Sequence, residues 1–118
     1  MANITRLIIA DDSPRARHGE RAVLAIQPGI QVVGEAADGQ EAIRLVESVH
    51  PDGIIMDVRM PGMDGLQASQ LIKTRWPQIK VIMLSLYASY RDEAIATGAD
   101  AFLVKGCPTK ELLDAIGK

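Results

Sequence analysis

Acidic residues follow two of the most apolar runs of this chain, and a lysine follows a third. Asp11 and Asp12 come directly after the first run, Asp57 after the second and Lys105 after the third. If these runs are parallel strands of one open sheet, the four side chains meet in the crevice at the carboxyl ends of the strands. Three carboxylates in one crevice repel each other, and a single lysine does not neutralise them. Because clustered carboxylate oxygens suit a hard divalent cation, the pattern predicts a Mg²⁺ site.

Phosphoryl chemistry is open to such a site. A carboxylate at Asp57 can accept a phosphoryl group as an acyl phosphate, provided that Mg²⁺ offsets the charge that repels the donor. We expect Asp12 and Asp57 to bind the metal directly, Asp11 to help through water, and the backbone carbonyl of Arg59 to complete the coordination. Lys105 supplies a compact positive charge for the phosphoryl oxygens.

A hydroxyl group is also expected at this edge of the sheet. Ser85 ends the run that lies between those of Asp57 and Lys105, and it can bond an attached phosphoryl group. Each feature alone has a simpler interpretation, because an aspartate after a strand is most often a turn residue, and Asp-Asp before Ser-Pro can serve only to cap a helix. The joint spacing favours phosphoryl chemistry. Asp100, a further acid, is interpreted as an ordinary turn residue.

Short β-rich runs alternate with helical patterns along the whole chain, which predicts an α/β fold with one parallel sheet. The predicted strands are 5–10, 30–36, 52–57, 79–84 and 101–104. The first three helices are predicted to begin at Ser13-Pro14, Asp38 and Asp64. Glu41, three residues after Asp38, indicates a capping box. No linker or repeat interrupts the pattern, so residues 1–118 are interpreted as one domain.

Bulk properties exclude several classes of protein. The chain has 118 residues, the size of one ordinary domain. A net charge of −2 gives no general attraction for nucleic acid or an anionic membrane. The single cysteine, Cys107, excludes an internal disulfide and fits a reducing compartment. Because no apolar run is long enough for a membrane span and no signal-peptide pattern is present, we expect a cytoplasmic location.

Five segments together resemble the receiver domain of two-component response regulators over the full length of the chain. These segments are 8–13, 37–42, 55–65, 83–85 and 98–105. The resemblance implies a flavodoxin-like, doubly wound sheet of five strands in the order 2-1-3-4-5, with helices on both faces. It also implies Mg²⁺-dependent phosphorylation of Asp57 by a sensor histidine kinase. Such a domain is a phosphoacceptor regulator rather than an enzyme, since it catalyses only its own phosphorylation and dephosphorylation.

The resemblance further implies how the signal leaves the site. Ser85 and Phe102 are the expected switch pair: Ser85 is drawn to the phosphoryl group, and the Phe102 ring turns inward to fill the vacated space. This change biases the face formed by the fourth helix, fifth strand and fifth helix, through which we also expect homodimerisation. Arg59 and Tyr87 match positions that flank the attacking water, so their bulk is expected to shield the phosphoryl group.

Two departures from the family pattern bear on the output and the fourth helix. Gly106 stands where many receivers have proline, which leaves the peptide after Lys105 open between cis and trans. Receivers attached to LuxR-type helix-turn-helix domains often lack that proline, so we expect a DNA-binding output domain that this chain lacks. The receiver itself is expected to touch neither DNA nor membrane. The segment from Ser85 to Gly98 is shorter than usual, which predicts a short or partly irregular fourth helix.

Other functions stay open at this point. One is a stand-alone receiver that acts by protein contact. Another is a phosphatase with an aspartyl nucleophile, like the haloacid dehalogenases, but those need a second acid where Arg59 stands. A flavin or nucleotide carrier needs a small-residue phosphate loop where Asp11 and Asp12 stand. The arginines of the first helix are interpreted as a solvated face, with a role in kinase docking as the alternative; they are Arg15, Arg17 and Arg21.

Overall fold

The computed structural model describes residues 3–117, and strands alternate with helices throughout that range. The strands are β1 (Thr5–Ala10), β2 (Ile30–Ala36), β3 (Gly53–Met56), β4 (Lys80–Ser85) and β5 (Ala101–Val104). The helices are α1 (Pro14–Ala25), α2 (Gly39–Val49), α3 (Gly65–Arg75), α4 (Arg91–Ala96) and α5 (Thr109–Ile116). All strand pairs are parallel, and the order is β2-β1-β3-β4-β5. The predicted fold class and strand order are confirmed.

The sheet is buried on both faces because its strands send alternate side chains to opposite sides. Within β1, Ile8 packs into a core that also contains residues of α2, α3 and α4, whereas Leu7 and Ile9 pack into a second core with α1 and α5. This explains why the strands appear as unbroken apolar runs rather than as an alternating pattern. It also leaves the ends of the strands as the place where polar side chains can gather.

Side-chain caps begin the first three helices as predicted, with one correction. The carboxylate of Asp38 accepts the amide of Glu41, 2.8 Å away, but the Glu41 carboxylate accepts from the amide of Ala37, not of Asp38. The predicted capping box at α2 is therefore wrong in its second half, because the loop before the helix turns the Ala37 amide toward this carboxylate. The complete capping box lies at α3, between Asp64 and Gln67.

The fourth helix is short, as the sequence predicts. A single 3₁₀ turn, Ala88–Tyr90, leads into the six residues of α4, and neither has a side-chain cap at its start. Further along, residues 3–117 contain no cis peptide bond, so the peptide after Lys105 is trans. Gly106 has φ +90°, a conformation closed to proline. The backbone at position 106 therefore accommodates glycine and excludes proline.

Asp100 lies in the bend before β5, as the sequence predicts, and it also joins neighbouring elements. Its Oδ2 accepts the Nζ of Lys73 at 2.9 Å and the amide of Val81 at 2.8 Å. Lys73 also donates to the carbonyls of Pro77 and Ile79. Asp100 and Lys73 thereby join the end of α3 to the beginnings of β4 and β5. The partners are far apart in sequence, which is why the spacing of the aspartate does not reveal this role.

One glycine fixes how closely α3 approaches the end of β3. A Cβ atom at Gly65 would lie 1.9 Å from the carbonyl oxygen of Asp57. We expect Gly65→Ala to destabilise the fold by about 2–3 kcal/mol in urea unfolding, because backbone must move to admit the methyl group. Gly19, inside α1, has open space around it, so Gly19→Ala is expected to stabilise by about 0.5–1 kcal/mol. A similar change in the free energy of unfolding in both variants would contradict the close approach of Gly65 to the Asp57 carbonyl.

Candidate functional site

Three carboxylates gather at the carboxyl ends of β1 and β3. Asp11 and Asp12 lie in the loop from β1 to α1, and Asp57 directly follows β3. One oxygen of each lies within 4.8 Å of the others. Asp11 is buried, Asp57 is partly buried and Asp12 is exposed, so the cluster opens to solvent on one side. The structure brings together the acids that the sequence predicts to share a site.

The sheet itself places these acids next to each other. Ala10 is paired with Met56 at the ends of the adjacent strands β1 and β3. The ladder continues one residue further, because the Asp57 amide donates to the Ala10 carbonyl and the Asp11 amide donates to the Ala36 carbonyl, each at 2.9 Å. Asp11 and Asp57 are thus held in strand-like positions, and their backbones do not depend on a flexible loop.

Lys105 joins the cluster from the end of β5. Its Nζ lies 2.6 Å from Asp11 Oδ2 and 2.8 Å from Asp57 Oδ2. Burial lowers the pKa of Lys105, but the hydrogen bonds and charges of Asp11 and Asp57 outweigh burial, so the pKa lies above its ordinary value. Lys105 is therefore a fixed positive charge, and it leaves the three acids with excess negative charge.

Ser85 lies at the end of β4 beside this cluster. It is 1% exposed, and its Oγ accepts the amide of Tyr87 at 3.1 Å. Its backbone carbonyl accepts the amide of Lys105 at 2.7 Å. A cleft of about 260 Å³ separates this hydroxyl from the acids, and its lining includes the exposed side chains of Arg59 and Tyr87. The cleft has room for a small anion between the lysine, the serine and Asp57.

Phe102 is buried in the structure, with 4% of its surface exposed. The ring belongs to the core under α4, and the guanidinium carbon of Arg91 lies 5.1 Å from its centroid. This distance is that of a cation–π contact. Arg91 is the first residue of α4, so the ring is covered by the helix that the switch is expected to move. The Phe102 ring is thus already buried beneath α4 in this structure.

Glu20, on α1, is a member of the site that the sequence analysis missed. Burial, followed by the negative charge of Asp11, raises the pKa of Glu20 to about 8, and Lys105 opposes that rise. A signal was present in the spacing, since Glu20 lies one helical turn before the fully buried Leu24 and so faces the sheet. A charged residue on the inward stripe of a helix indicates a polar site beneath it.

The arginines of α1 are not all part of a solvated face. Arg17 has 19% of its side chain exposed; its Nε donates to Glu35 Oε1 at 3.3 Å and its Nη1 to the carbonyl of Asp11 at 2.5 Å. Arg21 also binds Glu35, at 2.7 Å, but is 48% exposed. The interpretation therefore fails for Arg17, because the helix turns this residue toward the end of the sheet. It holds for the exposed Arg15.

The residues present fit a Mg²⁺ ion. The donors are carboxylate oxygens, which Mg²⁺ prefers, and one lysine does not balance their charge. Asp57 Oδ1 accepts one long bond, 3.3 Å, from the Arg59 amide. Among residues 3–117 no donor reaches the carboxylate of Asp12. Oxygens that lack strong protein donors and converge in an open cleft are suited to a hydrated cation. Ligation by the Arg59 carbonyl stays a prediction.

Residues 7–117 match the family model described as the response regulator receiver domain, so the chain belongs to this family of regulatory domains. It is 37% identical to the response regulator protein VraR of Staphylococcus aureus over 115 residues, which cover 96% of the chain and 55% of that protein. It is 35% identical to the transcriptional regulatory protein DegU of Brevibacillus brevis over 116 residues, 97% of the chain and 49% of that protein. The chain thus spans about half the length of these relatives.

A solved structure supports the same assignment. A LuxR-family two-component response regulator from Aurantimonas sp. SI85-9A1 superposes with a TM-score of 0.91 at 31% identity, over 98% of the chain and 84% of that structure. Receiver domains bind Mg²⁺ at an acidic pocket, and this structure has an acidic cluster of Asp11, Asp12 and Asp57. No helix within residues 3–117 has the length and apolar character required to cross a membrane.

Protonation of Glu20 makes stability depend on pH in a defined direction. Its pKa is about 8 in the fold and near the ordinary 4.5 in the unfolded chain, so the folded state binds more protons between those values. Folding therefore loses stability as the pH rises from 5 to 8. Glu20→Gln removes this loss. From pH 5 to pH 8 we therefore expect the free energy of unfolding of the variant to rise by about 1–3 kcal/mol relative to that of the parent, measured by urea unfolding in EDTA.

Glu47, exposed on α2, supplies the matched control for that measurement. Glu47→Gln makes the same chemical change away from the site and is expected to leave the pH dependence of the parent intact. A Glu20→Gln variant whose advantage over the parent is the same at pH 5 and pH 8 would show that Glu20 titrates normally in the fold.

Proposed function

We propose that this domain is a phosphorylation-dependent signalling switch that accepts a phosphoryl group on Asp57 from a sensor histidine kinase. The observation that carries the proposal is the position of Asp57 between two further acids and a protonated Lys105, in an open cleft at the ends of adjacent strands. Isolated acids at strand ends do not have this arrangement. A carboxylate nucleophile beside a cation-binding cluster and a fixed ammonium group is suited to phosphoryl transfer.

Each side chain has a separate task in the transfer. Asp57 attacks phosphorus through a carboxylate oxygen, the bond from phosphorus to the donor histidine breaks, and its electron pair returns to the histidine nitrogen. Asp12 and Asp57 are proposed to hold Mg²⁺ directly, with Asp11 acting through water and Arg59 through its carbonyl. The bound ion supplies charge that offsets the repulsion between donor and acceptor.

Lys105 and Ser85 are proposed to bond the phosphoryl oxygens after transfer. Lys105 is already 2.8 Å from Asp57 Oδ2, so little movement brings its ammonium group onto the new anion. Ser85 now accepts the Tyr87 amide through Oγ. Movement of this oxygen toward the phosphoryl group breaks that bond and frees the start of the segment that leads to α4. The acyl phosphate adds close to two negative charges and three acceptor oxygens, which drive the change.

The signal is proposed to leave through the face formed by α4, β5 and α5. Phe102 and Arg91 connect this face to the site, since Phe102 lies in β5 three residues before Lys105 and carries Arg91 of α4 over its ring. Phe102 has no hydroxyl, so packing carries this coupling rather than a hydrogen bond from the ring. A coupling free energy of about 1–3 kcal/mol is typical and is enough for a signal. Homodimerisation through this face is part of the proposal.

The output is proposed to be transcription in the cytoplasm, through an attached DNA-binding domain. The support is that the chain covers about half of VraR and DegU and resembles a structure of the LuxR family. The receiver itself, with a net charge of −2, is not proposed to contact DNA or membrane. A stand-alone receiver is the alternative. Phosphatase action on small molecules is disfavoured, because exposed Arg59 stands where a second acid is needed.

The acceptor assignment is tested with a small phosphoryl donor. We expect acetyl phosphate with Mg²⁺ to add one phosphoryl group to the parent, detected by intact mass, and none to Asp57→Asn, which has no carboxylate to form the acyl phosphate. Asp92→Asn, an exposed change on α4, is the control and is expected to react as the parent does. EDTA is expected to stop the reaction. Equal labelling of Asp57→Asn would move the acceptor elsewhere.

Beryllofluoride in the same experiment tests the proposed dimer. With Mg²⁺ it is expected to shift the parent to a smaller elution volume in gel filtration, while Asp57→Asn stays unchanged. An unchanged parent would remove the homodimer from the proposal and leave the phosphoryl chemistry standing.

Shielding by Arg59 is tested through the lifetime of the acyl phosphate. Arg59 is exposed and lines the cleft beside Asp57, where its side chain is proposed to cover the approach of water. We expect Arg59→Ala to lose its phosphoryl group faster than the parent after the donor is removed, followed by intact mass over time. Arg75→Ala, a change on an exposed arginine at the end of α3, is the control. A dephosphorylation rate equal to that of the parent would remove the shielding role.

A further inference from the structure

We propose that Arg17 is a positioning residue for the metal-binding loop, acting on Asp12 through the peptide that joins Asp11 to Asp12; this proposal rests on the proposed function. Arg17 does not reach the cleft with its charge. Instead, its guanidinium group binds the carbonyl of Asp11 at 2.5 Å. That oxygen belongs to the peptide unit before Asp12, and because a peptide is planar, holding the oxygen fixes the direction in which the chain enters Asp12.

Asp12 needs such support because its carboxylate has no hydrogen-bond or ion-pair partner within residues 3–117. The carboxylate of Asp11 accepts the Ser13 amide at 2.9 Å and Lys105 at 2.6 Å, and that of Asp57 accepts Lys105. By contrast, no donor within residues 3–117 reaches the exposed carboxylate of Asp12. Its place in the cluster is therefore set by the backbone alone. The one side-chain bond to that peptide oxygen comes, among the described residues, from Arg17.

Glu35 holds the guanidinium group of Arg17 in place. It lies in β2 and pairs with Ile9, the residue before β1 ends at Ala10. Its two oxygens bind Arg17 Nε at 3.3 Å and Arg21 Nη1 at 2.7 Å. Arg17 thus links the rigid sheet to the loop through two bonds from one planar group. A lysine has a single ammonium group and does not offer this fork.

Arg21 provides a matched control within the same structure. It shares Glu35 with Arg17 and carries the same charge on the same helix, yet it is 48% exposed and, within residues 3–117, makes no hydrogen bond or ion pair with the loop. Removing it takes away one arginine and one ion pair and leaves the Asp11 carbonyl bound. A general effect of helix charge or of the pairing with Glu35 changes Mg²⁺ binding alike in variants at Arg17 and at Arg21. A positioning role changes Mg²⁺ binding only in the Arg17 variant.

The test measures Mg²⁺ binding directly, by calorimetric titration of the unphosphorylated protein with MgCl₂. We expect Arg17→Ala to raise the Kd for Mg²⁺ by about 10-fold, the usual effect of removing a group that orients metal ligands. Arg21→Ala is expected to stay within about twofold, as for exposed ion pairs. In acetyl phosphate reactions, Arg17→Ala is expected to need more Mg²⁺ for half-maximal rate while its rate at saturating Mg²⁺ stays close to that of the parent.

Two further measurements keep the test decisive. Thermal unfolding without Mg²⁺ shows which variants fold. If Arg17→Ala does not fold, Arg17→Lys takes its place, because it keeps the charge and most of the stem. Arg17→Lys is also expected to weaken Mg²⁺ binding. A folded Arg17 variant with the Kd of the parent, or an equal loss in Arg21→Ala, overturns the positioning role. Failure of the parent to bind Mg²⁺ overturns the proposed function instead.

Discussion

Mutual repulsion among Asp11, Asp12 and Asp57 is the constraint on which the rest of the structure depends. Carboxylates this close are unfavourable unless positive charge is supplied, and Lys105 supplies one charge where more are needed. The fold does not relax this conflict, because the backbone of two of the acids continues the ladder of the sheet. Burial is the main cause of the raised pKa of Glu20, and the negative charge of Asp11 adds to it. The site is thus built to gain stability from a cation.

The remainder of the domain explains how such a site is tolerated. The strands beneath it are buried on both faces by two aliphatic cores, so the sheet is a rigid base that concentrates the strain at one edge. The ion pair of Lys73 and Asp100, which joins α3, β4 and β5, lies away from that edge. Buried polar side chains are also satisfied among the described residues. The electrostatic repulsion is therefore confined to the acidic cluster, and a change of charge at Asp57 is able to alter the interactions of the residues around it.

Much of this was readable in the sequence, for a physical reason. Apolar runs mark buried strands, and the residue after each run must lie at one edge of a parallel sheet, so the sequence alone predicts that Asp57, Ser85 and Lys105 meet. Contacts that involve a helix are harder to predict from the sequence. Glu20 and Arg17 depend on how α1 is rotated against the sheet, and Asp100 depends on a lysine 27 residues away. Periodicity shows that a helix has an inward face, but it does not show which distant groups that face will contact.

Differences in helix stability bear on where a signal from this edge can go. The starts of α1, α2 and α3 are fixed by side-chain caps, whereas α4 has six residues, no such cap and a 3₁₀ turn before it. Short helices without caps are marginal on their own and belong to the parts of a fold that open most easily. The segment that leads to α4 begins at Ser85, whose hydroxyl also faces the cleft. The proposed switch therefore joins the group that gains charge to a short helix without a side-chain cap, and Arg91 over Phe102 is one contact that holds this helix to the sheet.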